Sequence, residues 1–384
     1  MEPVLSGNPW GPVNPVKPVI LSTLTFLLVA SLPVPATARA GCHPSTGDAV
    51  AAGFDVQKIA DGVFAAIRRE PPGIFVDANS VFIINAEDVV VVDANLTPGS
   101  ARDCLAALRK LTDKPVSHVV NTHWHQDHVV GDQVYRDAFP GVEIVASSKA
   151  RTTLAAKSDE TRKLYLTAGP EYSTSLRSAV EKETSFLGTP MTPDEDASYL
   201  AAAGLIDRYV AEAPEMRTTL PTLTVDDRMV LHRGDRTIEI RSLGRGHTDN
   251  DLIVYLPKEG VVAAGDLVVA PVPLTGDQSF IGDWAGTLER LLALKPAVIV
   301  PGHGPVLRDV SYVKLMIELL SSMSSQTKAA VAKGETLEQA RKSIDLGAFR
   351  KRLCGDSRSL LLIVENYVNG AGIAKAFAEA STRE

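Results

Sequence analysis

The amino-acid sequence predicts a layered α/β sandwich with helices added to it. Three observations lead there. Short runs of β-type residues fall in two groups, residues 62–120 and 229–300. Between the groups lies a stretch, residues 147–220, rich in Ala, Glu, Lys and Ser and with helical periodicity. Several of the strand-like runs lead directly into loops that carry histidine or aspartate.

Taken in order, Gly62–Arg68 (GVFAAIR) reads as a strand. Ser80–Asn85 and Val89–Val92 follow, and the Ala-Glu-Asp between them suits a hairpin. Ser100–Leu111 has helical spacing, with Leu105, Leu108 and Leu111 on one face. Val116–Val120 (VSHVV) is strand-like, follows Pro115 and runs into a histidine cluster. That places the cluster on a loop at a strand's C-terminal end, where a rigid sheet commonly positions chemistry. Residues 147–220 read as an insertion of two or three helices. In it, Thr192-Pro193-Asp194-Glu195 combines an N-cap, a proline at the first helical position and a capping box. Leu200, Ala203, Ile206 and Val210 then share an apolar face.

Strands return at Met229–Leu231, Thr237–Ile240, Leu252–Leu256 and Val261–Ala264. Trp284–Leu294 reads as a helix with Asp283 as its N-cap and Pro296 beyond its end. Ala297–Val300 is a buried-type strand leading into Pro301-Gly302-His303-Gly304. From Val310 the chain is mostly helical, with a stop at Lys333-Gly334 and a capping box from Thr336 to Gln339. The expected organisation is a main domain over 55–307 and a helical C-terminal extension over 308–384.

Bulk properties narrow the function. The chain has 384 residues, 45% hydrophobic and 22% charged, which is ordinary globular composition. A net charge of -7 leaves no basic footprint for nucleic acid, so a small-molecule substrate is the expected partner. Val19–Val34 is an apolar run preceded by Lys17 and followed by Ala38-Arg39-Ala40, an A-x-A cleavage pattern. Residues 1–40 therefore read as a signal peptide, and the mature protein as periplasmic or secreted. Pro33 and Pro35 interrupt the run, which falls short of the roughly 18 residues of a membrane span, so no stable span is expected in the mature chain. Ala40-Gly41-Cys42 offers a lipoprotein anchor, for which Arg39 is a poor fit. Cys42, Cys104 and Cys354 are scattered and form no C-x-x-C site; whether Cys104 and Cys354 pair is left open.

Three of the chain's eight histidines fall within His123–His128. In an extended segment side chains two apart point the same way, so His123 and His125 can reach one ion together. Asp127 repeats that phase and His128 turns to the neighbouring position. One metal could not comfortably take all four groups; two adjacent metals could. Further donors stand near other strand ends: His247 in Gly246-His247-Thr248, Asp266 after Gly265, and His303 between glycines. Five imidazoles and two carboxylates suit zinc, although imidazole also suits iron and nickel. Four such groups in six residues would be costly to bury unpaired. His43, His118 and His232 have no ligand pattern around them and read as surface or hydrogen-bonded core residues.

With these motifs assembled, the sequence resembles the metallo-β-lactamase superfamily of hydrolases. The H-x-H-x-D-H run from His123 to His128 carries the resemblance, with Gly246-His247-Thr248, Gly265-Asp266 and Pro301-Gly302-His303-Gly304 in the expected order. It covers Val56 to Leu307 and implies a four-layer αβ/βα sandwich with the site at one edge of the two sheets. It also implies that His123, His125 and His247 bind one zinc, that Asp127, His128 and His303 bind a second, and that Asp266 bridges them. Asp93 resembles the family's structural aspartate. An aspartate at 266 resembles the broad hydrolase branch with glyoxalase II types, where β-lactamases usually carry Cys or Ser; no match to a glutathione-binding tail follows.

The expected activity is hydrolysis of an ester, lactone, thioester or β-lactam, in which two cations lower the pKa of a shared water. Asp127 is expected to orient the nucleophile and move its proton. Two alternatives stay open. One is a mononuclear iron sulfur dioxygenase of the same superfamily using His123, His247 and Asp266. The other is a non-enzymatic metal- or ligand-binding protein. No G-x-S-x-G, H-E-x-x-H or P-loop competes. The insertion either caps the metal edge and selects substrates or is a stabilising surface elaboration.

Overall fold

The computed structural model describes residues 53–382 except 72 and 74–76. The leader assigned to residues 1–40, together with Cys42 and His43, lies outside the described residues. The first sheet has seven strands in chain order: β1 (Phe54–Ala60), β2 (Val63–Arg68), β3 (Ser80–Ile84), β4 (Val89–Val92), β5 (Val116–Val120), β6 (Glu143–Ala146) and β7 (Leu223–Thr224). It is antiparallel up to β4 and parallel from β4 to β7. The second sheet comprises β8 (Arg228–Arg233), β9 (Arg236–Ser242), β10 (Leu252–Leu256), β11 (Val261–Val269) and β12 (Val298–His303). Its spatial order is β12-β11-β10-β9-β8, with only the β11–β12 pair parallel.

Period-two alternation divides the strands between layers. Val90 and Val92 join Ile238, Ile240, Val254 and Val300 between the sheets. Val89 and Val91 point the other way, onto Cys104 and Leu108 of the helix Pro98–Arg109 and Tyr135 of the helix Asp132–Ala138. On the far side, Ile253 and Val262 pack beneath Trp284 of the helix Ile281–Ala293 and Met316 and Leu319 of the helix Ser311–Ala332. Helix, sheet, sheet, helix is the expected four-layer αβ/βα order. Cys104 and Cys354 are both buried and free, in separate clusters, so they do not pair.

The insertion consists of two long helices, Ser148–Glu181 and Pro193–Glu212, ending in a short 3₁₀ turn at Ala213–Glu215. Both halves of the capping box between Thr192 and Glu195 form. The buried face differs in part from the one read off the sequence. Ala203 and Ile206 are buried as expected, but Leu200 is 41% exposed, and Tyr199 and Tyr209 complete the face against Leu176 and Ala179. Leu111 is likewise exposed, because the helix before it stops at Arg109. The helix expected to start at Trp284 behind Asp283 begins three residues earlier, at Ile281. Its first N–H groups are satisfied from another helix: Ile281 and Gly282 donate to the Glu379 carboxylate at 3.2 and 2.9 Å. Among the described residues, no helix is long and apolar enough to cross a membrane.

Candidate metal site

Beyond β5 the chain bends at residues 122–124, is extended at His125 and then turns into the short helix Gln126–Val129. Asp93 fixes this turn to the end of β4. Its backbone is left-handed (φ 61°). Its carboxylate accepts the Thr122 N–H at 2.8 Å and the Thr122 hydroxyl at 2.9 Å. It also faces His128 Nδ1 at 2.8 Å, which leaves His128 Nε2 directed at the cluster.

Asp266 and His303 were expected just beyond their strands. Both lie inside them. β11 continues through an irregularity at Gly265 to Val269, and β12 continues through Pro301 and Gly302 to His303, because parallel pairing carries the two strands on together. Two glycines make the close approach possible. A Cβ on Gly265 (φ +51°) would stand 2.4 Å from the Thr122 hydroxyl, and one on Gly302 would stand 1.9 Å from Asp266 Oδ1. His247 sits on the loop between β9 and β10, which Asp251 shapes by accepting the Thr248 N–H at 2.9 Å and its hydroxyl at 2.7 Å.

The seven residues meet at one edge in two groups. Donor atoms of His123, His125, His247 and Asp266 lie within 4.8 Å of one another, as do those of Asp127, His128 and His303. Asp266 touches both. Its Oδ2 is 3.4 Å from His247 Nε2, while its Oδ1 is 3.3 Å from His128 Nε2 and 3.6 Å from His303 Nε2. Asp127 Oδ2 lies 3.3 Å from His128 Nε2 and 3.0 Å from His303 Nε2.

The donor set fits a cation. His247 Nδ1 is 3.1 Å from the Leu274 carbonyl, which can only accept, so His247 Nε2 carries a lone pair. His125 Nε2 is 2.7 Å from Gln278 Oε1; with that oxygen accepting, His125 Nδ1 carries a lone pair as well. The two lone-pair nitrogens stand 2.9 Å apart, an arrangement that repels unless positive charge lies between them. His123 Nε2 is buried without a hydrogen-bond partner, which is costly for a group of this kind.

Electrostatics point the same way. Burial pushes His123 well below the ordinary imidazole range and His247 down to about 3, so both are neutral donors. Burial also opposes a charge on His128, but Asp93, Asp127 and Asp266 outweigh it and hold its pKa well above normal. Burial would raise Asp127, yet His128 and His303 keep it well below the usual carboxylate range, and the same neighbours with His247 lower Asp266. A proton on the imidazoles thus balances carboxylates that a metal cation would otherwise neutralise.

His118 and His232 lie apart from the cluster, on β5 and β8; His118 Nδ1 meets the neighbouring Ser117 hydroxyl at 2.8 Å. Sequence reasoning passed over Gln278, Asp251 and Gln126. The Thr248-x-x-Asp251 spacing was a readable sign of a side-chain-capped loop; nothing local marks Gln278, which reaches His125 across 153 positions.

Residues 73–303 match the family profile described as Metallo-beta-lactamase superfamily. The chain belongs to this superfamily. A linear primary-alkylsulfatase from Pseudomonas sp. is 23% identical over 283 residues, 68% of this chain and 48% of that one. A hydroxyacylglutathione hydrolase from Gloeobacter violaceus is 36% identical over 85 residues, 21% of this chain and 32% of that one. A metallo-beta-lactamase from Pontibacter korlensis superposes with a TM-score of 0.50 at 20% identity, covering 70% of this chain and 99% of that one. At that identity the likeness speaks for the metallo-β-lactamase fold alone. The chain spans about half the length, or less, of these curated relatives.

Proposed function

We propose that this member of the superfamily is an exported hydrolase working with two zinc ions. The observation that carries the reading is Asp266, whose two carboxylate oxygens face the two donor groups separately. In this reading His123, His125 and His247 hold one ion, Asp127, His128 and His303 hold the other, and Asp266 spans them. Imidazole with carboxylate is a donor set suited to zinc. A bound pair of such cations supplies Lewis acidity and brings the pKa of a water from about 15.7 toward about 7.

The chain's own residues do the rest. Asp127 is 20% exposed where Asp266 and His128 are almost fully buried, so it is the carboxylate that meets the opening. It orients the attacking water and takes its proton. Asp93 and Gln278 hold His128 and His125 in their ring orientations, the support such ligands ordinarily receive. Asp127→Asn is expected to leave the melting temperature close to wild type and to cut kcat by about 100-fold or more, the scale of a lost general base.

The scissile bond in this proposal is carbonyl-type: ester, lactone, thioester or β-lactam. The alkylsulfatase likeness adds sulfate esters to the set worth testing. The test is metal analysis of the mature protein followed by a hydrolysis screen over a chromogenic cephalosporin, lactones, thioesters, aryl esters and aryl sulfates. Two zincs with turnover of one class support the reading. A single iron with oxygen uptake would replace it with the sulfur dioxygenase, in which Asp127, His128 and His303 would be left without a task. Export is checked by the mass of the mature chain, expected to begin after Ala40.

A further inference from the structure

We propose that Gln126 is the positioning residue through which the helical insertion sets the metal turn, and with it the affinity for the second metal. The inference rests on the two-metal reading above. Gln126 lies between His125 and Asp127, so its backbone belongs to the turn that offers donors to both groups. Its side chain leads away from those donors and is buried in the insertion. There the carboxamide is held at both ends. Its Nε2–H donates to the Ser158 carbonyl at 3.2 Å, on the first insertion helix. Its Oε1 accepts from the Tyr209 hydroxyl at 2.5 Å, on the second. One side chain thus ties the turn to both helices.

Packing holds part of the turn on this side, since Val129 shares a buried cluster with Ala150 and Leu154 of the first insertion helix. Gln126 and Val130 also line a small cleft of about 20 Å³, partly open to solvent, together with Arg162 and Tyr209. The two directional bonds fix the carboxamide and the backbone that carries it in a way that apolar contact, which is non-directional, does not. Tyr209 is itself fixed. It is almost fully buried, and its ring lies 4.9 Å from that of Tyr165. Removing either bonding partner leaves a buried polar atom unpaired, and the turn shifts to satisfy it.

The experiment compares wild type with Gln126→Ala, Tyr209→Phe and the double variant. Zinc affinity at each of the two sites is read by competition with a chromophoric chelator, and the melting temperature of the metal-free proteins is recorded alongside. Each single variant is expected to weaken the zinc held by Asp127, His128 and His303 by about tenfold, the usual scale for a group supporting a metal ligand, with little change in melting temperature. The double variant is expected to be no worse than Gln126→Ala, because both changes break one connection. Tyr209→Phe keeps the ring packing, so it tests the bond even if Gln126→Ala folds poorly. Wild-type affinity at both sites in the variants, or losses that add in the double variant, would overturn the proposal while leaving the two-metal reading intact. A wild-type protein that binds fewer than two ions would overturn both.

Discussion

The helical insertion and the helices after Ser311 both extend the strand framework, yet they join it on different terms. The insertion keeps a hydrophobic cluster largely its own, built from Leu176, Tyr199, Ile206 and Tyr209. The C-terminal helices share one continuous cluster with β10, β11 and β12, in which Ile253, Val262 and Ile299 lie under Met316, Leu319 and Val368. Even the cap of the helix Ile281–Ala293 comes from Glu379, close to the chain end. Shared burial makes the C-terminal helices an outer layer of the sandwich. Its largely separate cluster lets most of the insertion vary without undoing the sheets, while Ala150 and Leu154 packed on Trp124 and Val129, and the bonds of Gln126, connect it to the site.

The strongest test of this contrast is Trp284→Ala. The indole is fully buried in the shared cluster, and its N–H donates to the Leu267 carbonyl at 3.1 Å. The substitution should cost about 3–5 kcal/mol in a single cooperative denaturant transition. Two separate transitions would break the picture of one core. Leu176→Ala should cost about 2–5 kcal/mol within the insertion's cluster. Amide exchange should then quicken across residues 148–215 while the sheets keep their protection; equal loss in both would show that the insertion is not separable.

Acid should act at the edge between these regions. His247 takes a proton near 6.5 when unfolded but, buried, only near 3 when folded. The unfolded state therefore binds more protons in that window. The stability this group contributes is complete above about 6.5 and is lost as pH falls toward 3. His123 and His125 shift the same way, whereas His128 and His303 shift upward and oppose it in the metal-free protein. Comparing melting temperature against pH for wild type and His247→Asn isolates the contribution; parallel curves would remove it. The smallest expected effect is Thr192→Ala, which breaks the capping box and should cost about 1 kcal/mol, read by thermal melting.

Much of the fold was legible because local patterns sufficed. β4, β5 and β10 have the bounds their apolar runs suggest, and both capping boxes, at Thr192 and Thr336, form as spelled. The omissions share a cause. β1 is an edge strand exposing Asp55 and Lys58, and β6 and β7 are four and two residues long, so none shows a clear hydrophobic run. β11 and β12 outlast their expected ends because Gly265 and Pro301-Gly302 read as breakers, whereas pairing between the two strands keeps both extended. On the second insertion helix Ala203 and Ile206 face inward as their spacing suggests, whereas Tyr199 rather than Leu200 meets the helix beside it.

Residue chemistry and short-range spacing were settled by the chain itself: four donor-type groups on one turn, a proline and a threonine opening a helix, an aspartate ending β4. Distances between remote groups were not. That Asp266 turns one oxygen toward His247 and the other toward His128, and that a glutamine at 278 meets His125, follow from how two sheets stack and where β11 and β12 end. Side chains far apart along a chain acquire a mutual geometry only when burial of the apolar faces between them brings their strand tips together.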